Sequence, residues 1–116
     1  MENTKVYTQQ ELYDKKIDTD DYKVNKESGA FLGTLMLKAW ATRSKVSGNS
    51  RPMRAFFDLE DGRKIIALVQ PFRKEQLIAM GKVPIGSTLQ LYFEPSTSGY
   101  VFLSKFEVVS RQEEDG

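Results

Sequence analysis

The sequence contains no cysteine and no histidine, and these two absences remove a large share of protein chemistry. The usual zinc and copper sites cannot be assembled, the Ser-His-Asp and Cys-His nucleophiles have no base, and imidazole general-base catalysis is closed. Without thiols there are no disulfides, which gives no sign of export to an oxidising compartment. No apolar run approaches the roughly 20 residues of a membrane helix. The start, Met1-Glu2-Asn3-Thr4-Lys5, lacks the apolar stretch of a secretory signal. A cytoplasmic protein without membrane contact is therefore expected. Gly81, Gly86 and Gly99 are isolated and Gly62 belongs to a turn, so there is no glycine-rich phosphate loop. Asp18-Thr19-Asp20-Asp21 begins like a calcium loop but lacks the glycine and glutamate that complete one. It reads as a solvated loop. No metal, cofactor or catalytic apparatus is expected, and the chain does not read as a self-sufficient enzyme.

What is present suits one modest core: 116 residues, 40% hydrophobic and 28% charged, the size of a single domain. The net charge of +1 conceals an uneven distribution. Residues 1–29 carry five basic and seven acidic side chains, residues 30–111 carry twelve and six, and residues 112–116 carry three acids. A basic body between acidic ends attracts polyanions, and the tail Glu113-Glu114-Asp115 can compete with them or dock a partner.

The first 29 residues are polar and read as an arm with one local signal. Thr8-Gln9-Gln10-Glu11 has capping-box spacing, flanked by Tyr7 and Leu12 at the positions of a hydrophobic staple, so a short helix over about 9–16 is expected. From Ala30 the pattern becomes strand-like. Along 31–42, Phe31, Leu35, Leu37, Ala39 and Ala41 share one parity and read as the core face. Thr34, Met36, Lys38, Trp40 and Thr42 share the other. A polar loop, Ser44 to Arg51, follows. Two strands, Pro52–Glu60 and Arg63–Gln70, are separated by Asp61-Gly62, the dipeptide suited to a type I′ turn. Such a turn sets Phe57 opposite Ile66, Ala55 opposite Leu68, Phe56 opposite Ala67 and Arg54 opposite Val69, giving Met53, Ala55, Phe57, Ile66 and Leu68 one apolar face and Arg54, Phe56 and Asp58 the other. After Pro71, Phe72–Met80 reads as a helix closed by Gly81. A last hairpin runs through Thr88–Glu94 and Tyr100–Val109. The order is β-β-β-α-β-β, without internal repeats.

Three strands, a helix and two more strands, over about residues 30–110, resemble the OB-fold, a five-stranded barrel often used for oligonucleotides. Within that fold the size, the lone barrel unit, the basic aromatic-bearing strands and the acidic end are similar to small single-stranded DNA-binding proteins of phages and mobile elements. The resemblance implies a mainly β domain over 30–111 and non-catalytic binding of single-stranded DNA in replication or recombination, with proteins of those processes as candidate partners; an unpaired barrel edge and the spare aromatics make a homodimer a reasonable assembly. The ligand of such a fold crosses strands 2 and 3, aided by the 1–2 and 4–5 loops, where cations take phosphates and flat side chains stack on bases. That mapping gives Lys38, Trp40, Arg43, Lys45, Arg51, Arg54, Phe56, Lys64 and Tyr92 as candidates, with Arg73, Lys74 and Lys82 flanking. Phe102 and Phe106 read as core or subunit contact. The competing reading is an OB-fold interaction module that turns the same aromatics to a protein partner and binds no nucleic acid.

Overall fold

Alternating apolar positions and turn residues between Gly29 and Ser110 fold into a mainly β protein. The computed structural model describes residues 4–41, 52–70 and 73–111. Its elements are α1 (Gln9–Asp14), β1 (Lys23–Val24), β2 (Gly29–Trp40), β3 (Met53–Leu59), β4 (Lys64–Val69), α2 (Lys74–Gly81), β5 (Thr88–Pro95) and β6 (Val101–Ser110). They form a six-stranded sheet in the order β1-β4-β3-β2-β5-β6. The sheet has one strand more than the expected five, and it is not closed into a barrel. β4 and β6 come near one another without hydrogen-bond pairing.

The hairpin at Asp61-Gly62 forms, but its register is shifted by one residue from the expected one. Gly62 N donates to Leu59 O at 3.0 Å and Leu59 N to Arg63 O at 2.8 Å, so three residues, not two, make the loop. Only Gly62 has positive φ, at 94°. This is a type I turn followed by a left-handed glycine that forms a bulge. Asp61 holds it by accepting from Arg63 N at 3.0 Å and Arg63 Nε at 2.9 Å. Phe57 therefore faces Ile65, Phe56 faces Ile66 and Arg54 faces Leu68. The faces of β3 stand as expected and those of β4 invert: Ile65, Ala67 and Val69 enter the core, while Ile66 and Leu68 point away from it.

A second one-residue irregularity changes β2. Leu35 pairs with Phe57 but Leu37 pairs with Phe56, leaving Met36 as a bulge that is 43% exposed. Before the bulge Leu35 belongs to the main core. Beyond it Leu37 and Ala39 turn to the outer layer, and Lys38 and Trp40 turn inward, contrary to the uninterrupted alternation expected. The main core is built from residues such as Leu35, Phe57, Val69, Met80, Leu91 and Leu103, all buried. A further register shift in the β5–β6 pair, between Tyr92 and Phe93, lets both Leu103 and Phe106 contact this core.

The N-terminal segment, expected as a polar arm, crosses the outer face of the sheet as a strap. Tyr7 N donates to Lys38 O at 2.9 Å and Trp40 N to Tyr7 O at 2.8 Å, so Tyr7 pairs with the end of β2. Helix α1 follows with the expected capping box: Glu11 N donates to Thr8 Oγ1 and Thr8 N to Glu11 Oε1, both at 3.1 Å. Leu12 lands on Ala39 and Phe56 in a second apolar cluster. Finally β1 pairs in parallel with β4, Lys23 opposite Ile65 and Val24 opposite Ile66. The strap is thus fixed by backbone hydrogen bonds on both sides of the face it covers.

Helix α2 lies along the outer edge of β6. Gln76 Nε2 donates to Ser104 O at 3.2 Å and Arg111 Nη1 to Lys82 O at 3.3 Å, while the Arg73 guanidinium sits 4.8 Å from the Phe102 ring centre. Helix α2 thus touches both β4 and β6, while β1 extends the sheet beyond β4. No helix among the described residues is long and apolar enough to cross a membrane.

Candidate functional site

The structure divides the sequence-derived candidates into separate places. Phe56 lies opposite Phe57 as expected, yet it is 0% exposed, packed edge-on by Tyr22 at 5.3 Å between ring centres. It offers no stacking surface. Arg54, beside it, is tied to the strap: Nη2 donates to Gln9 Oε1 at 2.6 Å and to Trp40 O at 3.1 Å, and burial lowers its pKa. Trp40 is half-buried against the main core. Lys38 is 0% exposed and has no carboxylate partner among the described residues; its ammonium donates to the carbonyls of Val83 at 2.7 Å, Gly81 at 2.8 Å and Met80 at 3.3 Å. It ties together the end of α2, where a helix leaves carbonyls unpaired and favours a cation. Burial pulls its pKa down to about 8. The outer face of β3 is thus a packing surface.

Lys64 is exposed and held by Asp58, 3.2 Å away, with the Tyr22 ring 5.2 Å from its ammonium. Tyr22 donates to the same carboxylate at 2.7 Å, and burial first, then this hydrogen bond, pushes its pKa up to about 12. Lys82 and Lys74 are exposed at the two ends of α2. Tyr92 points outward from β5, half-buried, with Lys105 Nζ 4.8 Å from its ring centre. Arg43, Lys45 and Arg51 lie outside the described residues.

Along β6, Arg73 stacks on Phe102 and lines a hollow with Lys74, Glu75, Gln76 and Ser104, and Lys105 stacks on Tyr92. Beside Phe102 opens a groove of about 400 Å³, set in the unpaired stretch between β4 and β6. One wall is the outward row of β4, Ile66 and Leu68, continued by Gln70. The opposite wall is Tyr100, Phe102 and neighbouring residues, with Phe93 at the base, and Val24, Asn25 and Lys26 of the strap close one end. None of the lining residues carries a carboxylate. Tyr100 is 58% exposed, delivered there by the turn at Gly99, whose φ is 89°. The groove exists because β4 presents its unexpected face: the register shift that buries Ile65 and Ala67 sends Ile66 and Leu68 into this wall.

Tyr100, Leu68, Gln70 and Lys26 were missing from the sequence-derived site, and Phe102 had been given to packing. A signal was available only for Tyr100, an aromatic immediately after a polar glycine turn. No family model, no curated protein and no solved structure matches this chain.

Proposed function

We propose that this protein is a non-catalytic binder of single-stranded DNA, built on an OB-type barrel left open along the β4–β6 seam, and that the strand lies in the seam groove. The observation that carries this reading is the lining: exposed Tyr100 and the Arg73-stacked Phe102 face an aliphatic wall, Lys26 stands at the end, and none of the described lining residues is a carboxylate. An aromatic face accepts an unstacked base of any kind, contributing about 1–3 kcal/mol per base, and rim cations accept the phosphates. Duplex DNA keeps its bases stacked inside and cannot use such a groove. Open strands held in this way would be protected or presented during replication or recombination.

The test is a titration of labelled oligo-dT and of duplex DNA at several salt concentrations. Single strands should bind better than duplex, and affinity should fall steeply as salt rises, because phosphate contacts release counterions. Tyr100→Ala should weaken oligo-dT binding by about 1–3 kcal/mol while leaving the thermal midpoint nearly unchanged, since the ring is largely exposed. Equal affinity for duplex would overturn the stacking mechanism. The competing reading, a protein-interaction module, draws on the aliphatic wall of Ile66 and Leu68; it requires no oligonucleotide binding at any salt.

A further inference from the structure

The wall of the groove carries a side-chain amide, that of Gln70. Gln70 continues the outward alternation of Ile66 and Leu68 into the groove wall. Its backbone carbonyl accepts from Arg73 N at 3.0 Å, but its side-chain amide makes no hydrogen bond among the described residues, although Gln70 is half-buried. The neighbouring amide differs. Asn25 Nδ2 donates to Glu27 O at 2.8 Å and its Oδ1 accepts from Glu27 N at 3.3 Å, so that side chain serves the strap's own turn. A half-buried amide in an apolar wall has given up part of its water, and a ligand that offers an acceptor beside a donor restores both bonds.

We propose that Gln70 makes the groove a base-selective seat that favours adenine. The inference rests on the single-strand reading above. Both hydrogen-bonding edges of an unstacked adenine place a donor, the exocyclic amine, beside an acceptor, so a glutamine amide can pair with it in either of two orientations. Guanine matches an amide only on its Watson–Crick edge, its major-groove edge showing two adjacent acceptors that suit a cation better, and pyrimidines likewise have one matching edge and a smaller ring to lay against Phe102 and Leu68. The volume of about 400 Å³ suits a single nucleotide more than a run of stacked bases. With no carboxylate in the lining and with Lys26 at one end, the seat complements an anionic strand. Other nucleotides would lie outside it and contribute without preference.

The experiment is a competition titration with short thymine runs carrying one adenine, cytosine or guanine at each position in turn. Adenine at the seated position should raise affinity about five- to tenfold over thymine, the lower range for one bidentate base contact. Adenine dimethylated on its exocyclic amine, which removes the donor common to both edges, should lose that advantage. Gln70→Met keeps the length and removes the amide; it should melt normally and bind the adenine-bearing runs no better than the plain thymine run. If the parent binds thymine runs but ignores the inserted base, or if Gln70→Met weakens all sequences equally, the selectivity proposal is overturned and the single-strand reading stands. If no oligonucleotide binds, both fall.

Discussion

Replacing Phe56 with alanine should lower the stability of the fold by about 3–5 kcal/mol, as expected when a fully buried aromatic is truncated. The ring is sealed between the outer face of the sheet and the strap: Leu12, Ala39, Tyr7 and Ile66 pack around it, Tyr22 meets it edge-on at 5.3 Å, and the Arg54 guanidinium lies 5.6 Å from its centre. Removing it takes away the apolar footing that α1 and Tyr22 share on this face, leaving Val6 on the main core and the backbone bonds of Tyr7 to hold the strap. The structure thus reverses what strand alternation alone predicts, namely that Phe56→Ala would cost binding and Phe57→Ala stability. Both variants should melt early, Phe57→Ala through the main core and Phe56→Ala through the strap. Chemical denaturation with a probe on Tyr22 or Trp40 would measure it. A Phe56→Ala variant that melts like the parent would mean that the strap is not seated on this face in solution.

The two errors of face share one physical origin. Strand parity is a period of two, so a single inserted residue exchanges inside and outside for everything beyond it. Met36 does this to β2, turning Lys38 and Trp40 inward, and the third loop residue at Glu60-Asp61-Gly62 does it to β4. Neither is marked in the sequence: Asp-Gly suits both turn types, and which one forms is settled by the Asp61–Arg63 hydrogen bonds and by packing of Ile65 rather than Ile66. Features that depend only on neighbours were legible. The Thr8–Glu11 capping box, the existence of the hairpin, the mainly β composition and the outward placement of Tyr92 between Leu91 and Phe93 all follow from local spacing. The strap was not legible, because pairing Tyr7 with Ala39 and Val24 with Ile66 spans long stretches of chain. For the same reason Arg54 looked available: its partner Gln9, 2.6 Å away, is supplied by the strap, whereas Lys64 meets Asp58 within its own hairpin.

Lys38 gives the second large effect, and its sign depends on pH. In the folded protein burial lowers its pKa to about 8, against 10.5 for an exposed lysine. Below pH 8 the ammonium is charged in both states, and the cost of burying it is fully present. Between about 8 and 10.5 the unfolded chain binds the proton more readily than the folded one, so stability rises with pH across that window, by roughly 3 kcal/mol at most. Tyr22 acts in the opposite direction and higher. Its pKa is raised from 10.0 to about 12, so its contribution is complete below pH 10 and is lost as pH climbs from there to 12. Lys38→Met removes the charge but leaves the carbonyls of Gly81 and Val83 without their donor, and a buried unpaired carbonyl costs about 1–3 kcal/mol. The variant should therefore be less stable than the parent at neutral pH, and the gap should widen from pH 8 to 10.5 because only the parent gains there. Tyr22→Phe, compared in parallel, should lose the decline above pH 10 and keep the rise below it. Urea denaturation of the three proteins at steps from pH 7 to 11 would read these differences directly. A parent whose stability falls monotonically from pH 8, parallel to that of Lys38→Met, would show that the Lys38 ammonium is not buried against the end of α2.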